Sequence, residues 1–152
     1  MSINNKIVSI NNSVLIAGSV SLCYGHFNLN HPGHIRYLQH AKTLADKLVV
    51  AIISDKELDE DSFGRHFSEE ERAESMINLQ IVDYVVILNK STLDELIDVI
   101  KPKFLVLGKE FKQKQPKQIS LAISAANKEG SVEFHAGEVH YSNSNLLYKN
   151  VS

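Results

Sequence analysis

Three histidines and one cysteine lie within the segment CYGHFNLNHPGH, which runs from position 23 to position 34. Two kinds of chemistry fit these residue types at this spacing. A structural zinc ion takes four ligands in a tetrahedral array, and Cys23, His26, His31 and His34 are candidates for them. The alternative is a phosphate site, in which histidines donate to an anion beside the first turn of a helix.

The position of the cysteine argues against zinc. Cys23 belongs to the apolar stretch VSLCY (20–24), which is typical of a buried strand. A cysteine in such a strand usually points into the core and behaves as a small hydrophobic residue. A domain of this size also needs no metal ion to hold it together. The zinc hypothesis is therefore the weaker of the two.

The histidine pair fits a helix start that binds phosphate. Gly25 permits a close turn after the strand, and Pro32 is tolerated in a first helical turn because its missing N–H group costs nothing there. The N–H groups of that turn carry positive partial charge. His31 and His34 are three residues apart, so they share one face, and Gly33 leaves room for a ligand.

The remaining sequence predicts strands that alternate with helices. The run LVVAIIS is rich in β-branched residues, which indicates a strand covered on both faces. Two capping boxes, Ser68 with Glu71 and Thr92 with Glu95, indicate helix starts. The predicted strands are 20–24, 48–54, 84–88, 104–108 and 132–135. This order predicts the α/β class, a Rossmann-like doubly wound parallel sheet of about five strands with helices on both faces.

Length and charge exclude several classes of protein. The 152 residues suit one domain, which we place at 20–152 after a lead-in segment at 1–19. A net charge of −2 gives no sign of a nucleic-acid or membrane partner. The apolar runs are too short to cross a bilayer, and the polar N-terminus does not resemble a secretory signal. The single cysteine fits a reducing compartment, so we expect a cytoplasmic protein.

The motif GHFNLNHPGH resembles the G-x-F-D-x-x-H-x-G-H signature of the cytidylyltransferase-like nucleotidyltransferases. This family includes glycerol-3-phosphate cytidylyltransferase and the adenylyltransferase domain of the bifunctional heptose enzymes. Similar segments follow in the family's order: IRYLQHAKTLADKLVVAIISD, FSEEERAESMINLQIVDYVV, FLVLGKEFK and YSNSNLL. The similarity covers roughly residues 20 to 147, and five ordered segments are far more specific than an isolated H-x-G-H.

The resemblance implies an enzyme that transfers CMP or AMP from CTP or ATP to a small phosphorylated sugar, alditol or similar acceptor, with release of pyrophosphate. It implies Mg²⁺ with the triphosphate, a homodimer, and fusion to a further domain in some relatives. Positioned donors and cations would supply most of the catalysis by stabilising charge in the transition state. A degenerate nucleotide-binding module without turnover is the alternative, and the choice between CTP and ATP stays open.

The resemblance also assigns roles to particular residues. His31, His34, Lys42 and Arg72 match catalytic positions, with Lys42 expected to hold phosphate and Arg72 to close over the nucleotide; Arg65 matches a loop arginine more loosely. Nucleotide-binding positions are matched by Cys23, Tyr24, Gly25, His26, Phe27, Asn28, Gly33, Gly108, Lys109, Glu110, Tyr141, Ser142 and Ser144. No metal ligands are assigned.

Two residues depart from the family's pattern. Asn28 stands where the family has an aspartate, which removes a carboxylate beside the triphosphate and its metal ion. His26 replaces a small residue after the first glycine, where it either crowds the acceptor or adds a hydrogen-bond donor. Whether Asn28 and His26 reduce activity stays open at this point.

Overall fold

The structure, a computed structural model, describes residues 5–27, 32–56, 67–89 and 91–135. Its strands are β1 (Ile7–Val8), β2 (Val20–Gly25), β3 (Lys47–Ile53), β4 (Tyr84–Leu88), β5 (Phe104–Gly108) and β6 (Ser131–His135). The α-helices are α1 (Pro32–Lys42), α2 (Glu69–Asn78), α3 (Leu93–Ile100), α4 (Glu110–Gln113) and α5 (Lys117–Ala126), and a 3-10 helix spans Asn12–Leu15.

All described strands belong to one parallel sheet with the order β1-β4-β3-β2-β5-β6. After the edge strand β1, the chain forms β2 near the middle of the sheet, adds β3 and β4 on one side, and then crosses to add β5 and β6 on the other. The strand order therefore reverses between β2 and β5. A cleft forms at such a reversal, outside the carboxyl ends of the two strands, and is the usual ligand position in open α/β sheets.

Helices cover both faces of the sheet, as the predicted fold class requires. Alternate residues of each strand point to opposite faces. One face packs against α3 and α5, and Leu22, Leu105 and Leu107 lie in that core. The other face packs against α1 and α2, with Cys23, Val50 and Val106 at its centre. The α/β prediction is confirmed.

The helix starts follow the capping patterns. In α2, the backbone N–H of Glu71 donates to Ser68 Oγ at 3.1 Å, and the Glu71 carboxylate accepts from the N–H of Ser68 at 3.1 Å. In α3, the N–H of Thr92 donates to Glu95 Oε1 at 2.9 Å. These bonds satisfy N–H groups that have no partner within the helix.

The sheet has one strand more than the sequence indicates. Ile7 and Val8, within the lead-in segment, pair with Val85 and Val86 and form a short edge strand beside β4. Two residues are too few for a periodic pattern, so only the tertiary pairing reveals this strand. The sheet thus includes residues that precede position 20.

Candidate functional site

A cavity of about 280 Å³ lies where the strand order reverses. The ends of four strands contribute to it, through Tyr24 and Gly25 of β2, Ile53 of β3, Gly108 of β5 and His135 of β6. The remaining lining residues are His26, Phe27, His34, Tyr37, Glu110 and Phe111. The cavity therefore has the position at which an α/β sheet of this order binds ligands.

The turn after β2 is held in an unusual backbone conformation. Phe27 has a φ of 49°, in the left-handed region that residues other than glycine rarely occupy. Its ring lies edge-on to His34 with centroids 5.6 Å apart and stacks on Tyr37 at 6.3 Å. A Cβ atom at Gly25 would lie 3.2 Å from this ring, so a side chain there would require the ring to shift. The turn brings His34, in the first turns of α1, to the cavity wall.

Tyr37 fixes α1 to the sheet beneath the cavity. Its hydroxyl donates to the carbonyl oxygen of Val106 in β5, and a hydrogen bond also links it to the thiol of Cys23. Burial raises the pKa of Tyr37 well above its usual value, and the neighbouring Cys23 adds to the rise. Both groups therefore stay protonated and serve as hydrogen-bonded parts of the core.

Cys23 does not line the cavity. Its side chain is fully buried on the face of the sheet that α1 covers, and burial raises the pKa of its thiol to about 12. The expectation that Cys23 contacts nucleotide needs correction for its side chain, because the strand turns it into the core. A thiol in that environment also makes a poor zinc ligand, which must be a thiolate.

Arg72 is a buried structural residue rather than an exposed clamp. Only 1% of its surface is accessible. Its Nε donates to the carbonyl of Phe67 at 3.0 Å, and Nη1 donates to the carbonyls of His26 and Ile53 at 2.8 and 2.7 Å. Nη2 donates to Asp55 Oδ1 at 2.9 Å. Four of the five N–H groups of a guanidinium are therefore engaged by the protein.

These bonds place Arg72 behind the cavity wall. The carbonyls that it binds belong to the loop after β2 and to the end of β3, so its charge holds two cavity-forming segments together. The expectation that Arg72 closes directly over the nucleotide needs correction for this conformation. The sequence could not reveal these contacts, since Arg72 and His26 are 46 positions apart.

His26 has a lowered pKa at the cavity. Burial is the main cause, and the nearby charge of Arg72 acts in the same direction, whereas Glu110 opposes both. The neutral imidazole is therefore favoured, and it can accept one hydrogen bond while it donates another. His26 lines the cavity as the motif predicts, and it adds a polar group where the family has a small residue.

The carboxylate of Glu110 occupies the space beside Gly108. A Cβ atom at Gly108 would collide with that carboxylate and would lie 2.7 Å from Glu110 Cδ. The open space that the glycine creates is thus filled by an acidic side chain of this chain. Lys109 is exposed and is not among the described residues that line the cavity.

Lys42 lies near the amino ends of the strands, on the opposite side of the domain from the cavity. Helix α1 begins beside the carboxyl ends of the strands and runs back, so its last residue is near their amino ends. There Lys42 Nζ lies 2.5 Å from Asp83 Oδ2, and that carboxylate also accepts from the N–H of Leu48 at 2.8 Å. The expectation that Lys42 holds phosphate needs correction for this conformation, because two helical turns carry it away from the cavity.

Several candidate residues lie outside the described residues, namely Asn28, His31, Arg65, Tyr141, Ser142 and Ser144. Gly33 falls in the first turn of α1, as expected. Within the described ranges, no group of three or more histidine, cysteine or acidic residues could hold a metal ion. Over the same residues, no helix has the length and apolar character that crossing a bilayer requires.

Sequence reasoning missed four lining residues, namely Tyr37, Ile53, Phe111 and His135. Three of them carry a signal that could have been used. Ile53 and His135 are the last residues of their strands, which is where ligands bind in this fold. Tyr37 also follows His34 by three residues and therefore shares its helical face.

The fold and the cavity together define a doubly wound α/β domain with a cavity at the carboxyl ends of its strands. The chain matches the family model described as Cytidylyltransferase-like over residues 22–139. That match spans most of the sequence, including the first motif and every described residue that lines the cavity. The chain belongs to the cytidylyltransferase-like family.

Two curated relatives carry the name "Bifunctional protein HldE". The one from Helicobacter pylori (strain J99) is 35% identical over 127 residues, which is 82% of this chain and 26% of the relative. The one from a Nitratiruptor species is 40% identical over 96 residues, 60% of this chain and 20% of the relative. The chain thus spans about a quarter or less of the length of these relatives.

Solved structures share the fold. A lipopolysaccharide core biosynthesis protein from Thermoplasma volcanium superimposes with a TM-score of 0.65 at 24% identity, covering 78% of this chain and 98% of that one. A protein of unknown function from Archaeoglobus fulgidus gives a TM-score of 0.63 at 14% identity, over 84% and 95% of the two chains. These likenesses support the doubly wound architecture.

Proposed function

We propose that this domain is a nucleotidyltransferase that transfers CMP or AMP from CTP or ATP to a small phosphorylated sugar, alditol or similar acceptor. A phosphate oxygen of the acceptor attacks the α-phosphorus and forms a new P–O bond. The bond from the α-phosphorus to the oxygen that bridges to the β-phosphorus breaks, and pyrophosphate leaves with that electron pair. Membership of the cytidylyltransferase-like family supports this reaction class.

The observation that carries the proposal is the position of His34. It lines a cavity at the carboxyl ends of β2 and β5, in the first turns of α1. A helix start offers N–H groups to an anion, and the imidazole adds a donor beside them. In this proposal His34, together with His31, stabilises the charge that develops on the phosphate oxygens.

Mg²⁺ would accompany the triphosphate. It usually binds through one or two carboxylates together with substrate phosphate oxygens. The described part of the lining supplies one carboxylate, Glu110, which fits that donor set. Glu110 is the side chain that we expect to hold the ion, whose chemical contribution is to neutralise phosphate charge. The family's aspartate is replaced by the neutral Asn28, so metal dependence should be weaker here.

One observation favours the alternative, a nucleotide-binding module without turnover. The described residues that line the cavity include no lysine or arginine. Arg72, the expected clamp, is engaged by backbone carbonyls and Asp55. Within the described lining itself, a ligand can therefore meet positive charge only from histidines and from the helix start. Such a site can bind a triphosphate and still stabilise the transition state poorly.

The test is pyrophosphate release by the purified protein in the presence of CTP or ATP, Mg²⁺ and a panel of phosphorylated sugars and alditols. Release that depends on one acceptor and one nucleotide supports the transferase. Nucleotide binding without release in any combination supports the binding module. A thermal-shift panel would identify the base first, since a ligand at about 100 times its Kd adds roughly 2.7 kcal/mol of stability.

We further propose that the protein is a cytoplasmic homodimer and that this domain belongs to a longer polypeptide. The match to about a quarter or less of each HldE relative supports the longer polypeptide. The buried, protonated thiol of Cys23 fits a reducing compartment. Light scattering of the purified chain tests the dimer. The mass of the native protein in cell extract tests the fusion, and fractionation of the cells tests the location.

A further inference from the structure

A cluster of two histidines and a glutamate joins α1 to the edge strand β6. Glu133 and His135 are two residues apart on β6, so both side chains point to the same face of the sheet. His40 Nε2 lies 2.9 Å from Glu133 Oε1, within hydrogen-bond distance. The ring of His40 stacks on the ring of His135, with centroids 4.3 Å apart and planes inclined by 13°.

The exposure of this cluster indicates that it contributes little to stability. The side chains of His40 and Glu133 are 34% and 36% accessible to solvent. A polar contact with this exposure, even where it is ionic, usually stabilises a fold by less than about 1 kcal/mol. The main physical effect of the cluster is geometric. The Glu133 carboxylate fixes the orientation of the His40 imidazole, and the stacked His40 ring fixes that of His135.

The second imidazole belongs to the cavity. His135 ends β6, pairs in register with Gly108 of β5, and lines the cavity wall. Gly108 itself has no side chain, and the carboxylate of Glu110 occupies the space beside it. The ring of Tyr37 also stacks on His135, with centroids 6.4 Å apart. His135 is thus held between α1 and the edge of the sheet, and part of its ring faces the cavity.

The charges around the cavity favour a phosphate as the group that His135 meets. Among the described lining residues, His26, His34 and His135 are the side chains that can carry positive charge. Burial and Arg72 lower the pKa of His26, which favours its neutral form. The one carboxylate among the described lining residues is Glu110, which we expect to hold the Mg²⁺ ion that accompanies the phosphates.

We propose that His135 binds a phosphate oxygen of the substrate through an imidazole N–H, and that His40 and Glu133 are positioning residues that orient it. The inference deepens the proposed function, on which it rests for the nature of the ligand. The phosphate belongs either to the nucleotide or to the acceptor. In both cases an imidazole N–H donates to a phosphate oxygen. Separate measurements of KM for the nucleotide and for the acceptor distinguish the two sources.

The test compares His135→Phe with His40→Phe. Phenylalanine keeps an aromatic ring for stacking at either position but has no N–H to donate. We expect His135→Phe to raise KM for the nucleotide or for the acceptor about tenfold, the scale of one charge-assisted hydrogen bond. His40→Phe and Glu133→Gln should raise the same KM by only about threefold, since they disturb orientation and leave the donor. A KM change confined to one substrate identifies which phosphate is bound.

A binding measurement separates this inference from the proposed function. Calorimetry with inorganic pyrophosphate needs no turnover, and weaker binding by His135→Phe supports the phosphate contact even in a protein that does not catalyse transfer. If His135→Phe does not fold, proton NMR of the wild-type histidines answers instead, because added pyrophosphate should shift the His135 resonances more than those of His40. The His135 resonances are assigned as those that are missing from the spectrum of His135→Gln.

Three results would overturn the inference. One is a His135→Phe variant that folds and keeps wild-type KM values and pyrophosphate affinity. Another is an unchanged His135 resonance in the presence of pyrophosphate. The third is a wild-type protein that binds neither nucleotide nor pyrophosphate, which would overturn the proposed function as well.

Discussion

Arg72 Nη1 donates to the carbonyl oxygens of both His26 and Ile53, at 2.8 and 2.7 Å, and so connects the loop after β2 to the end of β3. These two segments form part of the cavity wall. The guanidinium is buried, and its other bonds reach Phe67 and Asp55. The shape of the cavity therefore depends on a charge that does not line it.

Replacement of Arg72 should destabilise the whole domain. Arg72→Met leaves two cavity-wall carbonyls and a carboxylate without their donor, so the free energy of unfolding should fall by about 3 kcal/mol or more. Arg72→Lys should be intermediate, because an ammonium cannot reproduce the forked geometry. Urea unfolding followed by circular dichroism measures both. A fully stable Arg72→Met variant with an altered nucleotide KM would instead indicate a direct role at the ligand.

Removal of His34 should affect catalysis far more than stability. Its ring makes an edge contact with Phe27 at the cavity wall, and loss of such a contact costs about 1 kcal/mol. Loss of a positioned transition-state donor lowers kcat by roughly 10²–10³. We therefore expect His34→Ala to keep a near wild-type Tm and to release pyrophosphate at that reduced rate.

Lys42→Met is the matched control on the same helix. Its partly exposed ion pair with Asp83 lies near the amino ends of the strands, away from the cavity. We therefore expect kcat and KM to stay within about twofold of wild type, and stability to fall by at most about 1 kcal/mol. A His34→Ala variant with wild-type turnover would contradict the phosphate site. A large loss of turnover in Lys42→Met would contradict the placement of that residue.

The lowered pKa of His26 predicts a loss of stability in acid. Because its pKa in the folded state lies below the ordinary value of 6.5, the unfolded chain takes up the proton more readily. Stability should therefore fall as pH drops through about 6.5 toward the folded-state pKa, and should gain nothing more above that range. His26→Asn should lose less stability than wild type between about pH 8 and about pH 5. The measurement is the free energy of urea unfolding against pH for wild type and His26→Asn. Equal losses in the two proteins across that range would refute this prediction.

The thiol of Cys23 should be unreactive in the folded protein. With a pKa of about 12, only ~10⁻⁴ of it is thiolate near pH 8, and the side chain has no solvent exposure. Alkylation by iodoacetamide, followed by mass spectrometry, should be slow in buffer and rapid in denaturing urea. A ligand that stabilises the fold should slow it further. Rapid modification of the native protein would show that β2 does not bury this residue.

The sequence by itself determined the fold class and placed the glycine–histidine motif after β2, where the structure has its cavity. Those features depend on local patterns: β-branched runs for strands, capping boxes for helix starts, and a glycine–histidine motif between β2 and α1. The capping box at Ser68 and the parallel α/β sheet agree with the structure, and His26, Phe27 and His34 do line the cavity. The motif order likewise indicated the family to which the chain belongs.

The tertiary structure alone decided what several charged side chains contact. Lys42 reaches Asp83 across 41 positions, and Arg72 reaches the carbonyl of His26 across 46. His40 meets Glu133 across 93 positions. No local pattern encodes such partners, because a side chain's hydrogen bonds depend on which distant segments the packed sheet and helices bring within about 3 Å.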